Sequence, residues 1–159
     1  MKYLALYVLS IITVNYAFER VPPLVLPGGD IWSPVALVVG LVFVVRDYAQ
    51  REIGHAVLPA MLFGGAISWF LASPNVALAS VCAFFAGELL DWAVYTFTGR
   101  PFSQRVLLSS AIGTPVDSAV FLSMAGLFSL SSLIMMTISK MAGALVVFFI
   151  VRRREGVSA

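Results

Sequence analysis

Glu88, Asp91, Asp117 and Lys140 are the residues best placed to do chemistry, and all four stand inside stretches that are otherwise nearly all apolar. Glu88, Asp91 and Tyr95 follow one another at spacings of three and four, which on a helix puts them on one face. Asp117 falls near the centre of the next apolar stretch and Lys140 near the midpoint of the last. Arg46, Asp47 and Gln50 bring further polar groups from an earlier stretch. An ionisable residue near the middle of a bilayer costs roughly 2.5–3.5 kcal/mol, so each needs a partner or a purpose. One interior polar cluster is therefore the economical arrangement. Three central carboxylates against one central lysine leave negative charge over, which a ligand, a proton or a cation would meet. The plainer alternative is that Lys140 pairs with Glu88 or Asp117 only to tie helices together.

Other polar features sharpen the picture. Pro115, two residues before Asp117, cannot donate to the carbonyl of Ala111, so a backbone acceptor is freed close to Ser109, Ser110 and Thr114. Interrupted helices at this depth commonly line binding sites, although a Ser or Thr hydroxyl can also satisfy a simple kink. Asn15 is placed to be a gate or a ligand contact, or merely to bond backbone or water. His55, the one histidine, reads as a solvated or capping residue, and Cys82, the one cysteine, as a small buried apolar residue. Gly64 with Ser68, Ala83 with Gly87, Ser109 with Gly113 and Ser139 with Gly143 repeat at a spacing of four, as close helix packing requires. No zinc-ligand pattern, phosphate-cradling glycine loop or serine elbow is present, so no metal, cofactor or catalytic apparatus is expected.

The elements that must hold these groups are membrane helices. Of 159 residues, 60% are hydrophobic and 11% charged, against roughly 45–50% and 25% in soluble domains. The pattern predicts one all-α domain over residues 1–159, a bundle of six transmembrane helices: Tyr3–Phe18, Trp32 to Gly54, Ala56–Leu71, Val76–Thr98, Gln104–Leu127 and Leu133–Val151. A Pro/Gly-rich loop over Val21–Asp30 and tight turns at Ser73–Asn75 and Ser129–Ser132 join them. Six crossings put Lys2, Arg51, Arg100, Arg105 and Arg152–Arg154 on one side and Arg20 as the single positive residue on the other. Positive residues concentrate in the cytoplasm, so both termini are expected there, in a cell (inner) membrane. The net charge of +2, without a basic stripe, excludes nucleic acid as a partner.

Three segments resemble the vitamin-uptake-transporter-like family: Phe43-Val44-Val45-Arg46-Asp47-Tyr48-Ala49-Gln50-Arg51, Gly87-Glu88-Leu89-Leu90-Asp91-Trp92-Ala93-Val94-Tyr95, and Ser109-Ser110 through Pro115-Val116-Asp117-Ser118. The resemblance covers nearly the whole chain. It implies a six-helix bundle similar to the substrate-binding subunits of energy-coupling-factor transporters, and a queuosine precursor such as 7-cyano-7-deazaguanine as substrate. A 7-deazaguanine base presents a ring N–H beside an amine, a pair that one carboxylate can accept. Glu88 is the first choice for that role and Asp117 the second, with Asp91 beside them. Lys140, Gln50 or Arg46 would donate to the ring carbonyl, and Trp92 and Tyr95 would wall the flat ring.

Import of a small molecule through a central polar site is therefore the leading expectation. One alternative is a binding subunit of a multi-component uptake system that needs an ATPase module. Another is a non-transporting membrane interaction protein whose charges only knit helices together. So small a bundle also leaves enough lipid-facing surface for a homodimer.

Overall fold

The computed structural model describes the backbone of residues 1–157 and the side chains of residues 1–153. The side chain of Arg154 and the last residues of the expected 1–159 domain lie outside the described residues. The described residues form six α-helices: α1 (Lys2–Arg20), α2 (Ala36–Ile53), α3 (Val57–Leu71), α4 (Ala77–Phe97), α5 (Phe102–Met124) and α6 (Leu130–Val157).

Successive helices run in opposite directions. Glu52, at the end of α2, accepts hydrogen bonds from the backbone N–H groups of Lys2 and Tyr3 at 3.0 Å, so the start of α1 meets the end of α2. Gly54, at φ 61°, and a short 3-10 turn over Gly54–Ala56 then reverse the chain. As a result, Asn15 of α1 reaches Ser68 near the end of α3. Tyr95 of α4 lies by Phe102 of α5, and Asp117 of α5 by Lys140 of α6, which fixes the remaining antiparallel pairs. One end of the bundle therefore carries Lys2, Glu52, the α4–α5 turn and the last part of α6; it is called the terminus end below.

The opposite end holds a feature that the sequence pattern does not predict. Instead of an irregular loop, β1 (Leu24–Val25) and β2 (Ile31–Trp32) pair as a small antiparallel ribbon. Gly28 and Gly29, both at positive φ, turn the chain between them. Trp32 belongs to this ribbon and α2 starts only at Ala36, a correction to the expected start of the second helix. Ribbon and α5–α6 turn are bonded: the Ser131 hydroxyl donates to Asp30 and the Ile31 N–H to Ser132 Oγ. Ser129 caps α6, its Oγ accepting from the Ser132 N–H at 3.0 Å, so α6 begins earlier than expected and Ser131 and Ser132 lie within it.

Burial is inverted relative to a water-soluble protein. Phe70 is 82% exposed, Phe97 78% and Leu62 65%, whereas Arg46, Asp47 and Asp91 are completely buried. An apolar exterior over a polar interior is stable only in lipid, where outward-facing side chains lose nothing by exposure. Four stretches among the described residues are long and apolar enough to cross a membrane: Ala36–Leu71, Ala77–Phe97, Phe102–Met124 and Leu130–Arg153. The first contains both α2 and α3, folded back at Gly54. Length and composition thus mark four spans where the sequence pattern predicts six.

Two glycine contacts set the helix spacing. A Cβ on Gly40 would overlap the Lys140 carbonyl, and one on Gly143 would come within 3.2 Å of the Gly40 carbonyl carbon, so α2 and α6 touch backbone to backbone. Gly87 and Gly113 do the same for α4 and α5, where a Cβ on Gly113 would sit 3.0 Å from the Gly87 carbonyl oxygen. Of the expected small pairs, Ala83 is buried, and Ser68 and Ser139 accept hydrogen bonds from Asn15 and Trp32. Cys82 is half-buried, more open than a core residue.

Candidate substrate cavity and its ion-pair floor

The functional residues follow from the face that each helix turns inward. On α2 the inward stripe is Phe43, Arg46, Asp47 and Gln50, at helical spacing. On α4 it is Gly87, Glu88, Asp91 and Tyr95, and on α5 it is Ser109, Ser110, Gly113, Thr114, Asp117 and Ser118. The glycines in these stripes let the helices come close enough for side chains from three of them to meet.

Arg46 is the hub. It is fully buried, and its guanidinium lies 3.0 Å from Asp47, 3.2 Å from Glu88 and against Asp91. It also donates to Gln50 Oε1, while the Gln50 amide donates to Thr96 at 2.8 Å. The Ser109 hydroxyl donates to Asp47 at 2.9 Å and the Tyr7 hydroxyl to Glu88 at 3.2 Å. This knot ties α2 to α4, α5 and α1. A guanidinium suits the position because its planar fork serves several carboxylates at once, which a lysine ammonium does less well.

Lys140 forms a separate pair with Asp117 and donates to Ser118 Oγ at 2.9 Å, which ties α6 to α5. The interior charges are therefore shared between two cations, not one: Arg46 and Lys140 face Asp47, Glu88, Asp91 and Asp117. Asp91 Oδ1 and Ser110 Oγ are buried without a hydrogen-bond partner among the described residues.

A cavity of about 290 Å³ begins at Glu88, Asp117 and Lys140 and extends toward the ribbon end, where Val21, Pro23, Ile31, Ser33, Ser73 and Leu127 surround it. Its walls are largely apolar, with Phe43, Phe84 and Phe121 among them, and Asn15, Ser68 and Ser80 add polar groups. The Arg46 knot lies behind the floor, on the side of the terminus end, and of its members Glu88 alone reaches the cavity.

The ten sequence-predicted site residues therefore divide. Glu88, Asp117, Lys140 and Asn15 line the cavity. Asn15 donates to the Ile11 carbonyl and to Ser68 Oγ, which fixes its amide at the wall. Arg46, Asp91 and Gln50 sit in the knot behind Glu88. Trp92 packs edge-on against His55 and Phe97, and Tyr95 lies under Arg105 and beside Phe102, both away from the cavity. Ser110 is buried within α5 and does not line the cavity. Pro115 leaves α5 continuous from Phe102 to Met124, with the Thr114 hydroxyl bonding back to the Ser110 carbonyl.

Several residues of the knot, of the Lys140 pair and of the cavity walls are not among the sequence-predicted set. Tyr7 is fully buried and holds Glu88; its spacing of four from Ile11, itself four from Asn15, puts all three on one stripe of α1 and was the available signal. Ser109 and Ser118 are both buried on α5: Ser109 donates to Asp47, and Ser118, next to Asp117, accepts from Lys140. The cavity aromatics Phe43, Phe84 and Phe121 had no signal of their own in so phenylalanine-rich a chain.

Among the described residues, no group of His, Cys, Asp and Glu side chains has the arrangement of a metal site. No curated protein and no solved structure matches the chain. A family model does match, over residues 4–152, under the description "Putative vitamin uptake transporter", and the chain belongs to that family of membrane transporters.

Proposed function

We propose that this protein imports a queuosine precursor, 7-cyano-7-deazaguanine or a related 7-deazaguanine base, through its central cavity. The observation that carries the proposal is a mostly apolar cavity whose floor presents a carboxylate, Glu88, beside an acid–amine pair, Asp117 and Lys140. A flat, polar-edged heterocycle needs such a combination: apolar walls for its faces, an acceptor for its N–H pair and a donor for its carbonyl. The volume lies near the lower end of the roughly 300–1,000 Å³ usual for small-molecule sites, in keeping with a single base. Glu88 would accept the ring N–H and amine, Lys140 would serve the carbonyl, and Phe43, Phe84 and Phe121 would flank the ring.

The same reading takes all six helices as spans, with the terminus end in the cytoplasm, because Lys2, Arg51, Arg100, Arg105, Arg152 and Arg153 belong to that end and Arg20 to the other. The cavity then opens away from the cytoplasm, as a carrier waiting for substrate requires. Uptake of the labelled base in cells lacking their own precursor import, with wild type, Glu88→Gln and Asp117→Asn compared, tests the proposal. Unchanged uptake in both variants would remove the site. Transport by the protein reconstituted alone separates a carrier from a binding subunit that depends on an ATPase partner.

A further inference from the structure

The charged floor has a second property that rests on the transport reading but goes beyond it. Backbone-to-backbone contact joins α2 to α6 through Gly40 and Gly143, and α4 to α5 through Gly87 and Gly113. Leu41, Phe43, Asp91 and Asp117 border these seams, but Gly40 meets the Lys140 carbonyl and Gly113 the Gly87 carbonyl, backbone atoms that cannot swing aside, so each pair behaves as one body. The two pairs meet through a small apolar cluster of Val44, Val106 and Ala144, with Tyr48 edge-on to Phe102, and are tied to each other by polar groups. Arg46 of α2 bonds Glu88 and Asp91 of α4, Gln50 bonds Thr96, Asp47 bonds Ser109, and Lys140 of α6 bonds Asp117 and Ser118 of α5.

Two of these ties meet the cavity. Glu88 lines it and pairs with Arg46, while Asp117 and Lys140 line it and pair with each other. Every other knot residue lies behind, between the cavity and the terminus end. A ligand that places N–H donors on Glu88 competes with Arg46 for the same carboxylate, and one that accepts from Lys140 competes with Asp117. Charge-assisted hydrogen bonds are roughly twice as strong as neutral ones, so a ligand making them is a match for the ties that it replaces.

We infer that the Arg46 knot is the closed gate of the terminus end, and that a base bound on Glu88 releases it, freeing the α2–α6 pair to move against the α4–α5 pair. Glu88 is the coupling residue, because it alone belongs both to the cavity and to the knot. The inference gives the charge cluster a mechanical part in transport, which uniform stabilisation of one conformation would not.

Thiol accessibility tests it. In a Cys82→Ser background, Val106→Cys places a reporter on α5 at a fully buried position on the terminus side of Ser109, and Val44→Cys, 3% exposed on α2, is the alternative should the first protein fail to fold. The proteins are placed in nanodiscs and labelled with a membrane-impermeant maleimide, with and without 7-cyano-7-deazaguanine, while binding is followed by calorimetry. Ligand is expected to raise the labelling rate by about tenfold, the change in open population that loss of one charged hydrogen bond brings. Ser109→Ala, which cuts the Asp47 tie and does not line the cavity, is expected to raise ligand-free labelling while binding stays within about twofold. Asp91→Asn is expected to raise ligand-free labelling further. If the base binds and labelling stays flat in wild type, or neither substitution changes it, the gate is overturned and the substrate reading stands. If the base does not bind at all, the substrate reading fails and the ligand trigger falls with it.

Discussion

Replacing Arg46 by glutamine removes the cation that Asp47, Glu88 and Asp91 share. At an effective dielectric constant of about 20, unit charges 3.0 and 3.2 Å apart attract by about 5.5 and 5.2 kcal/mol, and Asp91 adds a third attraction. Burial of each ion sets several kcal/mol against those sums, so the pairing itself adds little. The asymmetry lies in breaking it: three buried carboxylates are left without the cation that they share, and removing one partner of a buried pair costs about 3–5 kcal/mol. With about 2–4 °C lost per kcal/mol for a chain of this size, melting of the purified protein in detergent should fall by about 6–20 °C. Arg46→Lys should recover little, because a point charge serves one carboxylate and not three. Adding Asp91→Asn to Arg46→Gln should restore about 0.5–3 kcal/mol, because one of the stranded acids becomes neutral. Thermal unfolding followed by tryptophan fluorescence reads all three variants. An Arg46→Gln protein melting within about 2 °C of wild type would refute the claim that this guanidinium holds the core together.

Tyr7→Phe deletes the hydroxyl that donates to Glu88 and should cost about 1.5–3 kcal/mol of stability, measured by the same melts, with weaker uptake of the base because Glu88 loses its anchor. Gly40→Ala drives a methyl group into the Lys140 carbonyl, a backbone atom that cannot swing aside; a loss of about 1–3 kcal/mol is expected, and an unshifted melt would show that α2 and α6 do not meet as described. Lys140→Met strands Asp117 and should abolish saturable uptake, whereas Lys140→Met with Asp117→Asn should recover folding without recovering transport, as judged by size-exclusion profiles beside uptake. Hydrogen bonds from Ser129 and Ser131 hold the Asp30 carboxyl below its ordinary 3.8. A depressed folded-state value means that this link is complete above pH 3.8 and is lost as pH falls through the lower folded value, so Trp32 fluorescence should report release of the ribbon only in that acid range, and Asp30→Asn should remove the transition.

Much of the architecture was legible because lipid imposes a simple rule. Apolar runs of membrane length must be helices, and the break residues Gly54, Gly99 and Pro101 and the Ser73-Pro74-Asn75 turn mark where they end. The ribbon over Leu24–Trp32 escaped the sequence pattern because its strands are two residues long, too short to show alternation, and are held by bonds to the distant α5–α6 turn. The charged residues of the interior were equally plain as a set, since the cost of burying charge makes each conspicuous.

What composition and spacing determined, then, is that acids on α4 and α5 and a lysine on α6 must find partners inside a helical bundle in a membrane. Which partners they find was decided by the tertiary structure. Arg46 was legible as an extension of the polar cluster and as a candidate donor to the substrate, and its place as the hub comes from the packing of α2 on α4 and α5, where Phe43 lies against Gly87 and Gly113 and the guanidinium reaches acids on two helices. Trp92 and Tyr95, one helical turn along from Glu88 and Asp91, face neighbours beyond the knot, while the cavity takes its rings from Phe43, Phe84 and Phe121. Helical periodicity fixes the face on which a side chain lies, whereas the depth and crossing of the neighbouring helices fix what it touches, and those depend on packing between residues far apart in the chain.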